Sequence, residues 1–216
     1  MIVLLLGAPG SGKGTQSMRL AAKYGFTHLA TGDIFRAEIA RGTSLGHKAQ
    51  DYVKSGKLVP DEIVTEMVAA RLEKDGDYLL DGFPRNLEQA RSLAKMLQRN
   101  GAAIDLVCSL ALPAAEAIKR MSSRRICSSC AEVYNVRFRP TKAEGLCDSC
   151  GGKVIQRADD AEAVAARRLM VFEDLTQPLV AYYKAEQVFH EIDAAQEPAQ
   201  VEAALAAVIE SAKARP

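Results

Sequence analysis

The chain has 216 residues, 48% apolar and 25% charged, with a net charge of +1. That length supports one sizeable globular core with room for insertions. The near-neutral balance argues against a surface built to coat nucleic acid or acidic lipid, and no apolar run approaches the roughly 20 residues that span a bilayer.

Ile2 to Leu6 is an apolar run with no basic segment before it and no cleavage motif after it. It therefore reads as a buried strand rather than a signal peptide, and a cytoplasmic protein is expected. The strand enters Gly7-Ala8-Pro9-Gly10-Ser11-Gly12-Lys13-Gly14-Thr15, and Gln16 to Tyr24 has helical spacing. A G-x-x-x-x-G-K loop between strand and helix is a phosphate cradle. Its glycines let backbone N–H groups approach the anion, the helix dipole adds attraction, and Lys13 reaches the outer phosphates of a nucleoside triphosphate. Gly14 follows the lysine and Thr15 comes one place later, so the usual hydroxyl ligand for magnesium is displaced by one position.

Phe26 to Ala30 is a second strand candidate, and Thr31 or Asp33 caps a helix from Ile34 to Arg41 that carries Arg36. Gly42 to Gly46 reads as a turn before a helix from His47 to about Lys54. Pro60-Asp61 starts a helix predicted over Glu62 to Lys74. Tyr78 to Asp81 is a strand ending in an acid, broken by Gly82-Phe83-Pro84-Arg85. Ligands of open α/β sheets sit at the carboxyl ends of strands, which puts Asp81 where it meets magnesium or its water. A helix follows from Leu87 to Gln98, then a strand from Ile104 to Leu110 whose Cys108 reads as a small core residue. The helix predicted over Ala114 to Ser123 brings Arg120, Arg124 and Arg125, the first two on one face or its continuation. A long helix from Ala161 to about Tyr183 carries Arg167 and Arg168 and is kinked or split at Pro178. Val188 to Ile192 is the last strand, and a closing helix runs from Pro198 to about Ala212.

Cys127, Cys130, Cys147 and Cys150 have the spacing C-x2-C-x16-C-x2-C, which fits a closed, structural four-thiolate zinc site. Gly151-Gly152 suits a positive φ after the second pair; Ala131 holds the equivalent place after the first, where a positive φ costs about 1–2 kcal/mol.

Together these segments predict an α/β fold of the P-loop NTPase type. A five-stranded, mostly parallel sheet has helices on both faces, and two insertions leave it at about 30–60 and 123–159. Core segments are expected at 1–29, 61–122 and 160–216. Arg36, Arg85, Arg120, Arg124, Arg157 and Arg168 are more cations than one nucleotide requires, which suggests two phosphorylated substrates placed end to end. The motifs GAPGSGKGT (7–15), TGDIFR (31–36), GKLVPDE (56–62), LLDGFPR (79–85) with Gln89, RRICSSC (124–130) and QRADD (156–160) with Arg168 resemble bacterial adenylate kinases of the long type with a zinc-bearing lid, over essentially the whole chain.

The resemblance implies Mg-dependent transfer between ATP and AMP, with the 30–60 insertion as the monophosphate lobe and 123–159 as the lid. It assigns Gly7, Gly10, Ser11, Gly12, Lys13, Gly14, Thr15, Arg120, Arg124 and Tyr134 to ATP. To AMP it assigns Thr31, Arg36, Lys57, Leu58, Val59, Gly82, Arg85, Gln89, Arg157 and Arg168. Lys13, Asp81, Arg85, Arg120, Arg124, Arg157 and Arg168 would serve the transfer itself. Three positions depart from the family pattern: Asn86 where Thr is usual, Ala131-Glu132 where a Gly-started turn is usual, and Ala194-Ala195-Gln196 where a Gly is common. A UMP or CMP kinase of the same fold is the nearest alternative. A P-loop ATPase binding nucleic acid through Tyr134, Arg137, Phe138, Arg139, Lys142 and Lys153 is a more distant one. A monomer without nucleic-acid or membrane partners is expected.

Overall fold

A computed structural model describes residues 1–74 and 76–214. In chain order the first elements are β1 (Ile2–Gly7), α1 (Lys13–Tyr24), β2 (Thr27–Ala30), α2 (Thr31–Ala40), α3 (Ser44–Ser55), α4 (Asp61–Ala69), β3 (Tyr78–Asp81), α5 (Leu87–Arg99), β4 (Leu106–Ala111) and α6 (Ala114–Ser122). They are followed by β5 (Arg124–Cys127), β6 (Val133–Asn135), β7 (Val154–Ile155), α7 (Glu162–Val171), α8 (Pro178–Ala185), β8 (Phe189–Asp193) and α9 (Pro198–Lys213).

The main sheet has five parallel strands in the order β2-β3-β1-β4-β8. Strand periodicity divides the core in two. Ile2, Leu4 and Leu6 pack on one face with Leu80, Leu93, Leu97 and Leu179; Val3 and Leu5 pack on the other with Leu20, Leu79, Leu205 and Ile209. Chain connections leave β1 toward β2 and β3 on one side and toward β4 and β8 on the other. The loop after β1 therefore lies at the switch point of the sheet, where open α/β folds have their ligand crevice.

Several elements differ from the sequence expectation. The helix expected from Ile34 begins at Thr31, and neither Thr31 nor Asp33 caps it: the N-cap is Ala30, without a side-chain bond, and the Thr31 hydroxyl donates to the Gly82 carbonyl at 2.8 Å. Gly46 is not in a turn but inside α3, which Thr43 caps; a Cβ on Gly46 would stand 2.2 Å from the Glu38 carbonyl oxygen, so this glycine permits the close crossing of α2 and α3. The helix expected to reach Lys74 ends at Ala69. Arg124 leaves the helix of Arg120 and begins β5 instead, the central strand of a three-stranded antiparallel sheet, β6-β5-β7. The long helix is interrupted, as Pro178 suggested, by a π-turn over Phe172–Thr176 in which Gln177 N–H donates to the Phe172 carbonyl at 2.8 Å. Among the described residues no helix is long and apolar enough to cross a membrane.

Candidate active site and metal centre

The loop after β1 keeps its shape through backbone that only glycine accepts. Gly10 has φ 87° and a Cβ there would sit 2.6 Å from the Ala117 carbonyl oxygen; Gly12, the N-cap of α1, has φ 95°. Lys13 folds back over the loop, donating to the carbonyls of Gly7 at 2.6 Å and Ala8 at 2.9 Å. Burial lowers its pKa to about 8; Asp81 opposes the shift, while Arg85, Arg168 and Arg124 add to it. Asp81 ends β3 with its Oδ2 3.7 Å from the place a Cβ on Gly14 would occupy, and 3.9 Å from His28 Nε2. The carboxylate thus faces the start of α1, where a Cβ at 14 would make only ordinary van der Waals contact.

The loop opens into a cleft of about 720 Å³. Its walls include Gly7, Gly10 to Thr15, Asp81, Arg120, Arg124, Tyr134 and Arg157. A smaller pocket of about 60 Å³ adjoins it, lined by Thr31, Lys57, Leu58, Val59 and Gln89 among others. Gly32, Arg36, Gly56, Leu58, Gly82, Arg85 and Arg168 line both. The guanidinium groups therefore stand between the phosphate loop and the smaller pocket.

Three acids hold this cationic row together. Asp160 is fully buried and accepts from Arg124 and from Arg168 Nη1 at 3.0 Å. Asp159 pairs with Arg168 at 3.0 Å and with Arg36 at 3.5 Å; Asp33 pairs with Arg36 and, at 3.6 Å, with Arg157. The pairs Arg36–Asp159 and Arg157–Asp33 connect the 30–60 segment with the segment around 157–160 across the cleft. Cationic charge still dominates. Burial and then Arg168 lower the Arg85 pKa to about 10, and burial, Arg36 and Arg124 lower that of Arg157 to about 10. Cations that depress one another in a partly desolvated cleft form an electrostatic vacancy for anions.

Arg120 is held by Glu116 at 3.1 Å and by the Ala194 carbonyl at 2.8 Å, joining α6 to the end of β8. Arg85 is fixed at both ends: its Nε donates to the Gly82 carbonyl at 2.7 Å, and its own carbonyl accepts the Thr176 hydroxyl at 2.7 Å. Sequence reasoning missed Asp159, Asp160 and Thr176. The doublet after Arg157 was a visible signal, since adjacent acids among several arginines demand a partner. Nothing local marked Thr176, because the π-turn supplies its direction.

The four sulfurs of Cys127, Cys130, Cys147 and Cys150 lie within 4.8 Å of one another. The Cys127–Cys150 and Cys130–Cys147 separations are 3.4 and 3.5 Å, close to the edges of about 3.8 Å that tetrahedral zinc thiolates require. Both knuckles take the expected form. Ala131 N–H donates to the Cys127 carbonyl and Gly151 N–H to that of Cys147, with φ 61° and 71°. Tyr134 is buried; its hydroxyl accepts from Asp148 N–H at 2.8 Å and lies 3.3 Å from Cys147 Sγ, where it can donate a hydrogen bond to a thiolate. The donor set fits zinc. It also removes Tyr134 from the basic surface considered for nucleic-acid stacking, and Arg139 there is paired with Glu132 at 2.6 Å.

Similarity to known proteins agrees with this geometry. The family profile described as Adenylate kinase matches residues 5–188. The chain belongs to the adenylate kinase family. A protein named adenylate kinase in Lachnospira eligens is 45% identical over 213 residues, covering 97% of this chain and all of its own. Adenylate kinases of Caldicellulosiruptor saccharolyticus and Thermodesulfovibrio yellowstonii are 48% and 45% identical, covering 85% and 89% of this chain and 87% and 91% of their own. Adenylate kinases are phosphotransferases, so the loop, the cleft and the arginine row belong to an enzyme of that class.

Proposed function

We propose that the protein transfers the terminal phosphoryl group of ATP to AMP, reversibly, giving two ADP. The observation that carries this reading is the arginine row between two adjoining cavities, one entered by the phosphate loop and the other lined by Thr31, Lys57 to Val59 and Gln89. A single triphosphate would fill only one side of that row.

In this reading Gly10 to Thr15 cradle the donor phosphates, with Lys13, Arg120 and Arg124 as their cations. Gly7 shapes the loop, and the main chain beside Tyr134 meets the donor, since the Tyr134 hydroxyl is committed to Cys147. Thr31, Arg36, Gly82, Arg85 and Gln89 hold the acceptor, with residues 57–59 against its base. Arg157 and Arg168 follow the phosphoryl group as charge moves. Such a transfer needs little covalent chemistry: the residues align donor and acceptor, neutralise developing charge and exclude water. Magnesium on the triphosphate supplies further charge neutralisation when bound; Asp81 and Thr15 are the residues present to hold its waters. Segments 30–60 and 123–159 act as lobes that close over the substrates, a motion supported by the ion pairs that join them across the cleft. Zinc bound by the four cysteines is structural, since every position of a tetrahedral site is then protein.

The test is ADP production from ATP with AMP, UMP, CMP and GMP in parallel, with and without magnesium. Activity with AMP alone, dependent on magnesium, is expected. A pyrimidine acceptor would overturn the assignment of the acceptor, and silence with all four would overturn the reaction.

A further inference from the structure

Gln89 lines the smaller pocket and is itself 1% exposed, so its carboxamide is oriented by protein groups rather than by water. Two groups of opposite character do this. The Arg85 backbone N–H, which can only donate, is 2.8 Å from Gln89 Oε1. Asp61, whose carboxylate can only accept, takes Gln89 Nε2–H on Oδ1 at 2.6 Å. Turning the amide over would face donor to donor at Arg85 and acceptor to acceptor at Asp61. Asp61 is held in turn: Asn86 Nδ2 lies 3.0 Å from each of its oxygens, while Asn86 Oδ1 accepts the Gln89 backbone N–H at 2.8 Å and caps α5.

We propose that Asp61 is a positioning residue that fixes the amide orientation of Gln89 and thereby decides which purine the acceptor pocket takes, with Asn86 as its anchor. The inference rests on the acceptor reading given above. A carboxamide uses one N–H and one lone pair on these partners and keeps one of each for a ligand. Adenine presents an amino donor beside a ring acceptor on its pairing edge, which a carboxamide of one orientation matches. Hypoxanthine presents the reverse, a carbonyl acceptor beside a ring N–H. A free carboxamide serves either base by turning over; a locked one does not. Asp61 lies outside the residues lining the pocket, so it acts through Gln89 and not by touching the base. Asn86 brings the cap and the anchor together in one side chain: its Oδ1 caps α5 and its Nδ2 holds Asp61.

The test compares kcat/KM for AMP and for inosine monophosphate, with ATP as donor, in the native protein and in Asp61→Ala and Asp61→Asn. Asp61→Ala removes the acceptor and is expected to lower the AMP-to-IMP ratio about tenfold or more, through KM for the acceptor, with KM for ATP within about twofold of native. Asp61→Asn offers either an oxygen or an N–H, so the ratio falls by less. It carries the test if the alanine variant does not fold. An unchanged ratio in whichever variants fold, even with a lowered melting temperature, would make Asp61 structural and overturn the inference alone. A native protein that does not use AMP would overturn the acceptor reading and this inference with it.

Discussion

Arg124 Nε donates to Asp160 Oδ2 at 2.8 Å, and Asp160 is completely buried. The same carboxylate takes Arg168, so one acid ties β5 to α7 beneath the cleft. Asp160→Asn keeps the shape but leaves two guanidinium groups facing each other with Arg36 and Arg157 near. Breaking a buried pair costs about 3–5 kcal/mol; this one borders an open cleft, and a loss of about 2–4 kcal/mol is expected. Urea denaturation would measure it. Saturating ATP should restore part of the loss beyond its effect on the native protein, because phosphates return the missing negative charge. Native-like stability in the variant would contradict the account.

Lys13 makes a pH-dependent prediction. Its folded pKa of about 8 lies below the ordinary lysine value of 10.5, and burial is the main cause. Between those values the unfolded chain binds more protons, so this residue's contribution to stability rises with pH across that window and its full cost is present below about pH 8. An anion that restores the charge drives the opposite linkage. ATP binding near pH 8 should take up a proton at Lys13, and affinity should weaken as pH rises through that value. Calorimetry in buffers of different ionisation enthalpy reads the uptake directly, and none at pH 8 would refute it. Lys13→Met should stabilise the nucleotide-free protein at pH 7 by about 1–2 kcal/mol while lowering turnover about 100-fold or more.

What the sequence made legible follows the range of the forces involved. The loop Gly7 to Thr15 and the cysteine quartet are local patterns whose spacing already states their geometry. The sheet is likewise written in short apolar runs separated by helical segments. The acids that organise the arginines are a different matter. Asp159 and Asp160 meet Arg36 and Arg124 over long sequence separations, and charge on a chain does not say which side chains fold toward each other. Four-residue spacing from Arg120 predicts a helical place for Arg124, whereas pairing with Asn135 puts it in a strand. Gly46 reads as punctuation in the sequence, since close contact with Glu38 exists only once α2 and α3 cross. Thr176 takes its direction from a π-turn that no residue type announces.

The thiolate cluster depends on more than its cysteines. Tyr134→Phe removes the hydroxyl that hydrogen-bonds Cys147 Sγ and leaves Asp148 N–H without its acceptor. Outer groups of this kind contribute about 10–100-fold to metal affinity. Competition with a chelator should therefore show zinc held about tenfold more weakly in the variant. Cys147→Ser removes a ligand outright, and because binding free energy at such a site is partly folding free energy, it should lower the melting temperature. Native melting and native metal retention in both variants would remove the case for a structural zinc site.

Ala131 carries a cost that a single change should relieve. It occupies the same knuckle position as Gly151, with φ 61° against 71°, and each N–H closes the turn onto the first cysteine of its pair. An alanine in that region costs about 1–2 kcal/mol relative to glycine, whereas glycine loses about 0.5–1 kcal/mol through the greater freedom of the unfolded chain. The balance favours glycine, so Ala131→Gly should stabilise the segment around the cysteine cluster by about 0.5–1 kcal/mol. Ala131 also borders the cleft, but a change confined to backbone strain leaves the arginines that line it where they are. The expected result is a higher melting temperature with KM for ATP unchanged. A lower melting temperature would mean that the methyl group makes packing contacts that outweigh the strain.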